Sequence, residues 1–133
     1  MIKAKPEGDQ PTVFVIDDDD ALREGLTSLF RSIGMQVKAF GSVKDFQVGK
    51  TRDTPGCLVL DVRLPGKSGL DLQAELNQAD FQMPIVFISG HADVPMSVRA
   101  IKAGAVEFLV KPFREQELLD AVRNGFERDQ ERR

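Results

Sequence analysis

Three short runs constrain the fold more than anything else in this chain: TVFVI (residues 12–16), CLVLD (57–61) and PIVFIS (84–89). They are apolar nearly throughout and rich in β-branched residues, so each reads as a strand. A strand with one wet face alternates apolar and polar residues, and these do not. Strands of this kind belong to a parallel sheet covered by helices on both faces. The intervening segments fit that reading. DALREGLTSLFRSIG (20–34) sets Leu22, Leu26, Leu29 and Ile33 at helical spacing, with Asp20 expected to cap its start and Gly34 to end it. QVKAF (36–40) is a shorter, alternating strand of the sort found near an edge. SVKDFQVG (42–49) is a short helix capped by Ser42, and SGLDLQAELNQ (68–78) is helical. DVPMSVRAIKAG (93–104) predicts a helix with Asp93 as N-cap, Pro95 in its first turn and Gly104 at its stop. AVEFLVK (105–111) is a last strand, and REQELLDAVRNGFERD (114–129) a final amphipathic helix. Strand and helix thus alternate through the chain. The expected fold is α/β: a flavodoxin-like, doubly wound (βα)5 three-layer sandwich, its parallel sheet in the order 2-1-3-4-5. Ligands of such sheets bind beyond the carboxyl ends of the strands.

The chain has 133 residues, enough for one domain with a core of its own. Its net charge of -3 argues against non-specific nucleic-acid binding through this chain. One cysteine, Cys57, excludes an internal disulfide and fits a reducing, cytoplasmic setting; its place beside an apolar run makes it a structural thiol. No apolar stretch has the length of a membrane span. Residues 1–10 read as a flexible lead, 11–126 as the domain, and 127–133 as the start of a linker.

Polar groups follow the apolar runs. Asp17 and Asp18 end the first strand, Asp61 the third, Ser89 the fourth, and Lys111–Pro112 the fifth. The topology brings them to one edge of the sheet. Crowded carboxylates in a partly dry cleft call for a hard divalent cation. Mg2+ suits them, because it takes oxygen ligands, keeps several waters and needs only one or two protein carboxylates. Asp19 and Asp20 complete the run of four acids and read as solvated first-turn residues suited to the helix dipole.

The stretches VFVIDDDD, CLVLDVRLPGKSGLDL and IVFISGHADVPMSVRAIKAGAVEFLVKPF resemble the receiver domain of two-component response regulators over nearly the whole chain. GHADVPMSVRAIKAGAVEFLVKPF resembles the FixJ type in particular, which includes regulators of styrene and toluene degradation. The resemblance implies that Asp61 accepts a phosphoryl group from a sensor histidine kinase. It implies Mg2+ ligation by Asp18 directly, Asp17 through water, Asp61, and the backbone carbonyl of Arg63. Ser89 and Lys111 would hold the phosphoryl oxygens, Phe108 would act in the switch, and the Lys111–Pro112 peptide bond would be cis. The face formed by the fourth helix, fifth strand and fifth helix would mediate a phosphorylation-dependent homodimer. Regulators of this type carry a C-terminal helix-turn-helix domain, which these residues do not contain, so DNA would be met only through that domain. Arg63 and His91 flank the site and are expected to tune the phosphoryl lifetime. The chain would catalyse only its own phosphorylation and slow dephosphorylation, and would not be a turnover enzyme.

Two other functions fit the architecture less well. A flavin carrier needs a phosphate loop of small residues after the first strand and aromatics to sandwich the ring. Acids follow that strand here, and the chain has no Trp or Tyr. An aspartyl-phosphate hydrolase usually carries a second Asp two residues beyond its nucleophile, where this chain has Arg63. His91 is the only histidine, so it has no partner of its own kind for a metal.

Overall fold

The computed structural model describes residues 10–49, 54–79, 81–91 and 94–133. Five strands and five helices alternate: β1 (Thr12–Ile16), α1 (Asp20–Ser32), β2 (Gln36–Phe40), α2 (Val43–Gly49), β3 (Gly56–Asp61), α3 (Gly69–Gln78), β4 (Ile85–Ser89), α4 (Val94–Lys102), β5 (Glu107–Val110) and α5 (Glu115–Arg132). The strands form one parallel sheet in the order β2-β1-β3-β4-β5, as the apolar runs predicted. No helix among the described residues is long and apolar enough to cross a membrane.

The three central strands β1, β3 and β4 are buried along their whole length. Successive side chains of a strand point to opposite faces, and the core divides accordingly. Phe14, Ile16, Leu58, Leu60 and Phe87 pack on one side with Phe46, Leu70, Leu72 and Ala100 of α2, α3 and α4. Val13, Val15, Val59, Ile88 and Leu109 pack on the other with Leu26, Phe30, Leu118 and Val122 of α1 and α5. The outer strand β2 is only half covered, which suits its alternating sequence.

Helix ends follow local chemistry. Asp19, not Asp20, caps α1: its backbone is extended and its side chain accepts the Leu22 amide at 3.1 Å. In a run of four acids every member is a chemically suitable cap. The choice falls on the last residue still extended, which leaves Asp20 in the first turn. Ser42 caps α2 as expected, accepting the Asp45 amide at 3.1 Å. Gly34 supplies the left-handed residue (φ 82°) that closes α1. The expected lead 1–10 lies outside the described residues except for Gln10, and so does the expected cap Asp93.

The segment 127–133, expected to begin a linker, is helical through Arg132 and tied to the sheet. Asp129 is only 1% exposed. Its Oδ2 accepts the Gly56 amide at the start of β3 (2.9 Å) and Arg133 Nε (2.9 Å), and its Oδ1 lies 2.7 Å from Arg132 as a charge contact rather than an aligned hydrogen bond. Nearby, Cys57 is fully buried and free. Burial, and then the Asp129 charge, push its thiol up to about 12, which makes it unreactive.

One glycine ties the fold to the strand ends. A Cβ on Gly69 would stand 2.5 Å from the backbone oxygen of Asp61. Gly69→Ala is therefore expected to displace the end of β3 and to cost about 1–3 kcal/mol in a urea melt. An unchanged midpoint would show that the turn yields freely.

Candidate phosphoacceptor and metal site

Asp17, Asp18 and Asp61 meet beyond the carboxyl ends of β1 and β3. Each offers a carboxylate oxygen, and these oxygens lie within 4.8 Å of one another. The ammonium group of Lys111, arriving from the end of β5, stands 3.2 Å from Asp17 Oδ2 and 3.4 Å from Asp61 Oδ2. Its backbone is set by the sheet: Lys111 N donates to Ser89 O at 2.7 Å. The Lys111–Pro112 peptide bond is cis.

The three acids have different surroundings. Asp17 is fully buried, and both of its oxygens are engaged, Oδ1 by the Asp19 amide (2.8 Å) and Oδ2 by Lys111. Asp18 is exposed to water. Asp61 is 5% exposed, and its Oδ1 accepts the Arg63 amide at 3.0 Å. Burial raises the Asp61 pKa above the usual carboxylate range. The Arg63 amide opposes this, the Asp17 charge adds to it, and Lys111 offsets part. Burial would lower the Lys111 ammonium pKa, but the charges of Asp17 and Asp61 and its hydrogen bonds to them carry it upward.

Three carboxylates against one ammonium leave the cluster net negative. The donors are all hard oxygens, and one of the three acids is open to solvent. Both features suit a small divalent cation that keeps part of its water shell. Asp17, Asp18 and Asp61 are the residues able to hold it.

Ser89, at the end of β4, is 1% exposed. Its hydroxyl donates to the His91 carbonyl (2.9 Å) and accepts the His91 amide (3.1 Å), so it is engaged by its own loop. His91 and Arg63 are exposed. Phe108 is half-buried, its ring 6.1 Å from that of Phe87. Sequence reasoning overlooked Arg23, which donates to the Asp17 carbonyl at 2.8 Å and pairs with Asp20 at 2.5 Å. The available signal was helical spacing, since Arg23 lies one turn beyond Asp20 on α1.

Comparison with known proteins identifies the family. The sequence pattern described as "Response regulator receiver domain" matches residues 13–123. Nodulation protein W of Bradyrhizobium diazoefficiens is 58% identical over 121 residues, which is 91% of this chain and 53% of that protein. The structure of the response regulator StyR superposes with a TM-score of 0.87 at 52% identity, over 92% of this chain and 62% of that one. The crystal structure of FixJ-N superposes with a TM-score of 0.81 at 36% identity, over 89% of this chain and 94% of that one. The chain spans about half the length of the curated relatives it matches. It belongs to the receiver-domain family of two-component response regulators, and within that family to the FixJ type.

Proposed function

We propose that this receiver is a phosphorylation switch whose acceptor is Asp61. The observation that carries the reading is the position of Lys111, within 3.4 Å of both Asp17 and Asp61. A carboxylate oxygen of Asp61 attacks the phosphorus of a phosphohistidine on the cognate sensor kinase. The P–O bond forms as the P–N bond breaks and the imidazole leaves. Lys111 then pairs with a phosphoryl oxygen. Receiver domains bind Mg2+ at an acidic pocket. Here Asp17, Asp18, Asp61 and the Arg63 carbonyl would hold the ion, which when bound would supply positive charge to offset that on the phosphoryl oxygens.

Ser89 supplies the switch. To donate to a phosphoryl oxygen, its hydroxyl must give up the His91 carbonyl, which releases the loop leading into α4. Phe108, beside Phe87, then turns toward the space left. The face affected is α4-β5-α5. It exposes Val94, Val98 and Ile101 along α4 and Val110 on β5, an apolar surface suited to a homodimer formed on phosphorylation. Transcriptional output, on this reading, comes from a helix-turn-helix domain elsewhere in the full-length regulator. The receiver itself is a switch, not a turnover enzyme.

Incubation with acetyl phosphate and Mg2+, followed by intact mass, tests this. One phosphoryl group is expected on the parent and none when Mg2+ is chelated. Absence of the adduct, together with no beryllofluoride complex, would refute the proposal. Arg63→Ala and His91→Ala are each expected to change the dephosphorylation rate, because both side chains border the path of water to the acyl phosphate. Identical decay curves for parent and variants would remove that role.

A further inference from the structure

Arg23 is the one cation outside Lys111 bound directly to the acid loop among the contacts described. Its side chain is 23% exposed. Nη1 donates to the backbone carbonyl of Asp17 (2.8 Å), and Nη2 pairs with Asp20 Oδ1 (2.5 Å). Its own amide donates to the Asp19 carbonyl at 2.9 Å. On the other side, a Cβ placed on Gly41 would lie 3.3 Å from Nη1. The guanidinium therefore sits in a slot between the end of β1 and the turn after β2, and the lack of a side chain at Gly41 keeps that slot open.

We propose that Arg23 is a positioning residue for the metal-binding acids: seated against Gly41, its planar fork fixes the Asp17 peptide and so aims the carboxylates of Asp17 and Asp18 at Asp61. The inference rests on reading the cluster as a Mg2+ site. Arginine suits the task because its donors diverge in a fixed plane, one reaching a carbonyl and another a carboxylate. A lysine ammonium in the same slot has no such fixed geometry. A simpler role as a counter-charge predicts the opposite result. Removing a positive charge beside the acids would strengthen cation binding, whereas removing a support loosens it. The two effects separate when the charge is kept and the fork is lost.

The test is a Mg2+ titration followed through backbone amide NMR shifts, since the chain has no Trp or Tyr to report by fluorescence. It compares the parent with Arg23→Lys, Arg23→Ala and, as a control on the same helix, Arg31→Ala. Thermal melts are recorded alongside, because a purely structural residue would lower the midpoint without moving the Mg2+ affinity. Arg23→Lys is expected to weaken Mg2+ binding about tenfold, the scale typical of losing a group that orients metal ligands, with Arg31→Ala unchanged. Arg23→Lys within about twofold of the parent, or Arg23→Ala binding more tightly, would overturn the proposal. If Arg23→Ala does not fold, Gly41→Ala, which presses on the guanidinium, takes its place beside Arg23→Lys. Asp18→Asn tests the underlying reading separately. If the parent shows no Mg2+ shifts, or Asp18→Asn leaves them intact, the metal site itself fails and the inference falls with it.

Discussion

Asp61→Asn is expected to take no phosphoryl group from acetyl phosphate at any Mg2+ concentration, and to melt a few degrees above the parent in metal-free buffer at neutral pH. The first effect is a complete loss. An amide is not a nucleophile here, and the neighbouring acids do not substitute for Asp61. Asp17 is fully buried with both oxygens engaged, and Asp18, whose carboxylate joins the cluster, is exposed to water and makes no contact with Lys111 among the described residues. The second effect follows from electrostatics. Burial, with the Asp17 charge adding to it, raises the Asp61 pKa on folding despite the Arg63 amide and Lys111. A raised folded pKa means that the fold favours the protonated form. Its stabilising contribution is complete below the unfolded value of about 3.9 and is lost as pH rises through the folded value. Asparagine is neutral throughout and keeps an acceptor for the Arg63 amide. The gap between variant and parent should therefore widen from pH 4 toward neutrality, and Mg2+ should close it by stabilising the parent. Parallel melting curves across that range, or an adduct on the variant, would contradict the assignment.

Asp129→Ala is expected to destabilise the domain by about 2–3 kcal/mol, well above the effect of changing an ordinary surface charge. The carboxylate is 1% exposed and accepts the buried Gly56 amide across 73 residues of chain. Removing it leaves that amide without its partner. The arginines at positions 132 and 133 are about a quarter exposed and can turn to water, so most of the cost comes from the amide rather than from the ion pairs. Asp129→Asn retains an acceptor and should recover more than half of the loss. Urea melts at neutral pH measure both. A midpoint for Asp129→Ala equal to that of the parent would mean that the end of α5 frays without consequence. The same variant should bring the Cys57 pKa down from about 12, since the Asp129 charge adds to the effect of burial there.

The parts of this architecture that could be read from sequence rest on burial patterns within single segments. β1, β3 and β4 are apolar on both faces because helices cover both, and that fixed their place at the centre of a parallel sheet. Asp17, Asp61, Ser89 and Lys111 were legible because each stands where an apolar run stops, and parallel strands end on one edge. Asp129 was not legible. It lies in the charged stretch ERDQERR, where a carboxylate ordinarily faces water, and only the distant Gly56 amide gives it a reason to be buried. The capping of α1 by Asp19 was hidden for a different reason: four identical neighbours carry no signal to choose among them. The engagement of Ser89 with His91 depends on the path of a loop, which no periodicity encodes.

The sheet also separates two halves with different tolerance of change. Phe108 belongs to the layer with Phe87 and Ala100, whereas its neighbour Leu109 belongs to the layer with Leu118 and Val122. On the proposed switch, an exchange of one aliphatic side chain for another on α1, at Leu26 for example, is expected to move the melting temperature without reaching Ser89 or Phe108. The same exchange on α4, which shares a layer with Phe108, is expected to alter both properties together.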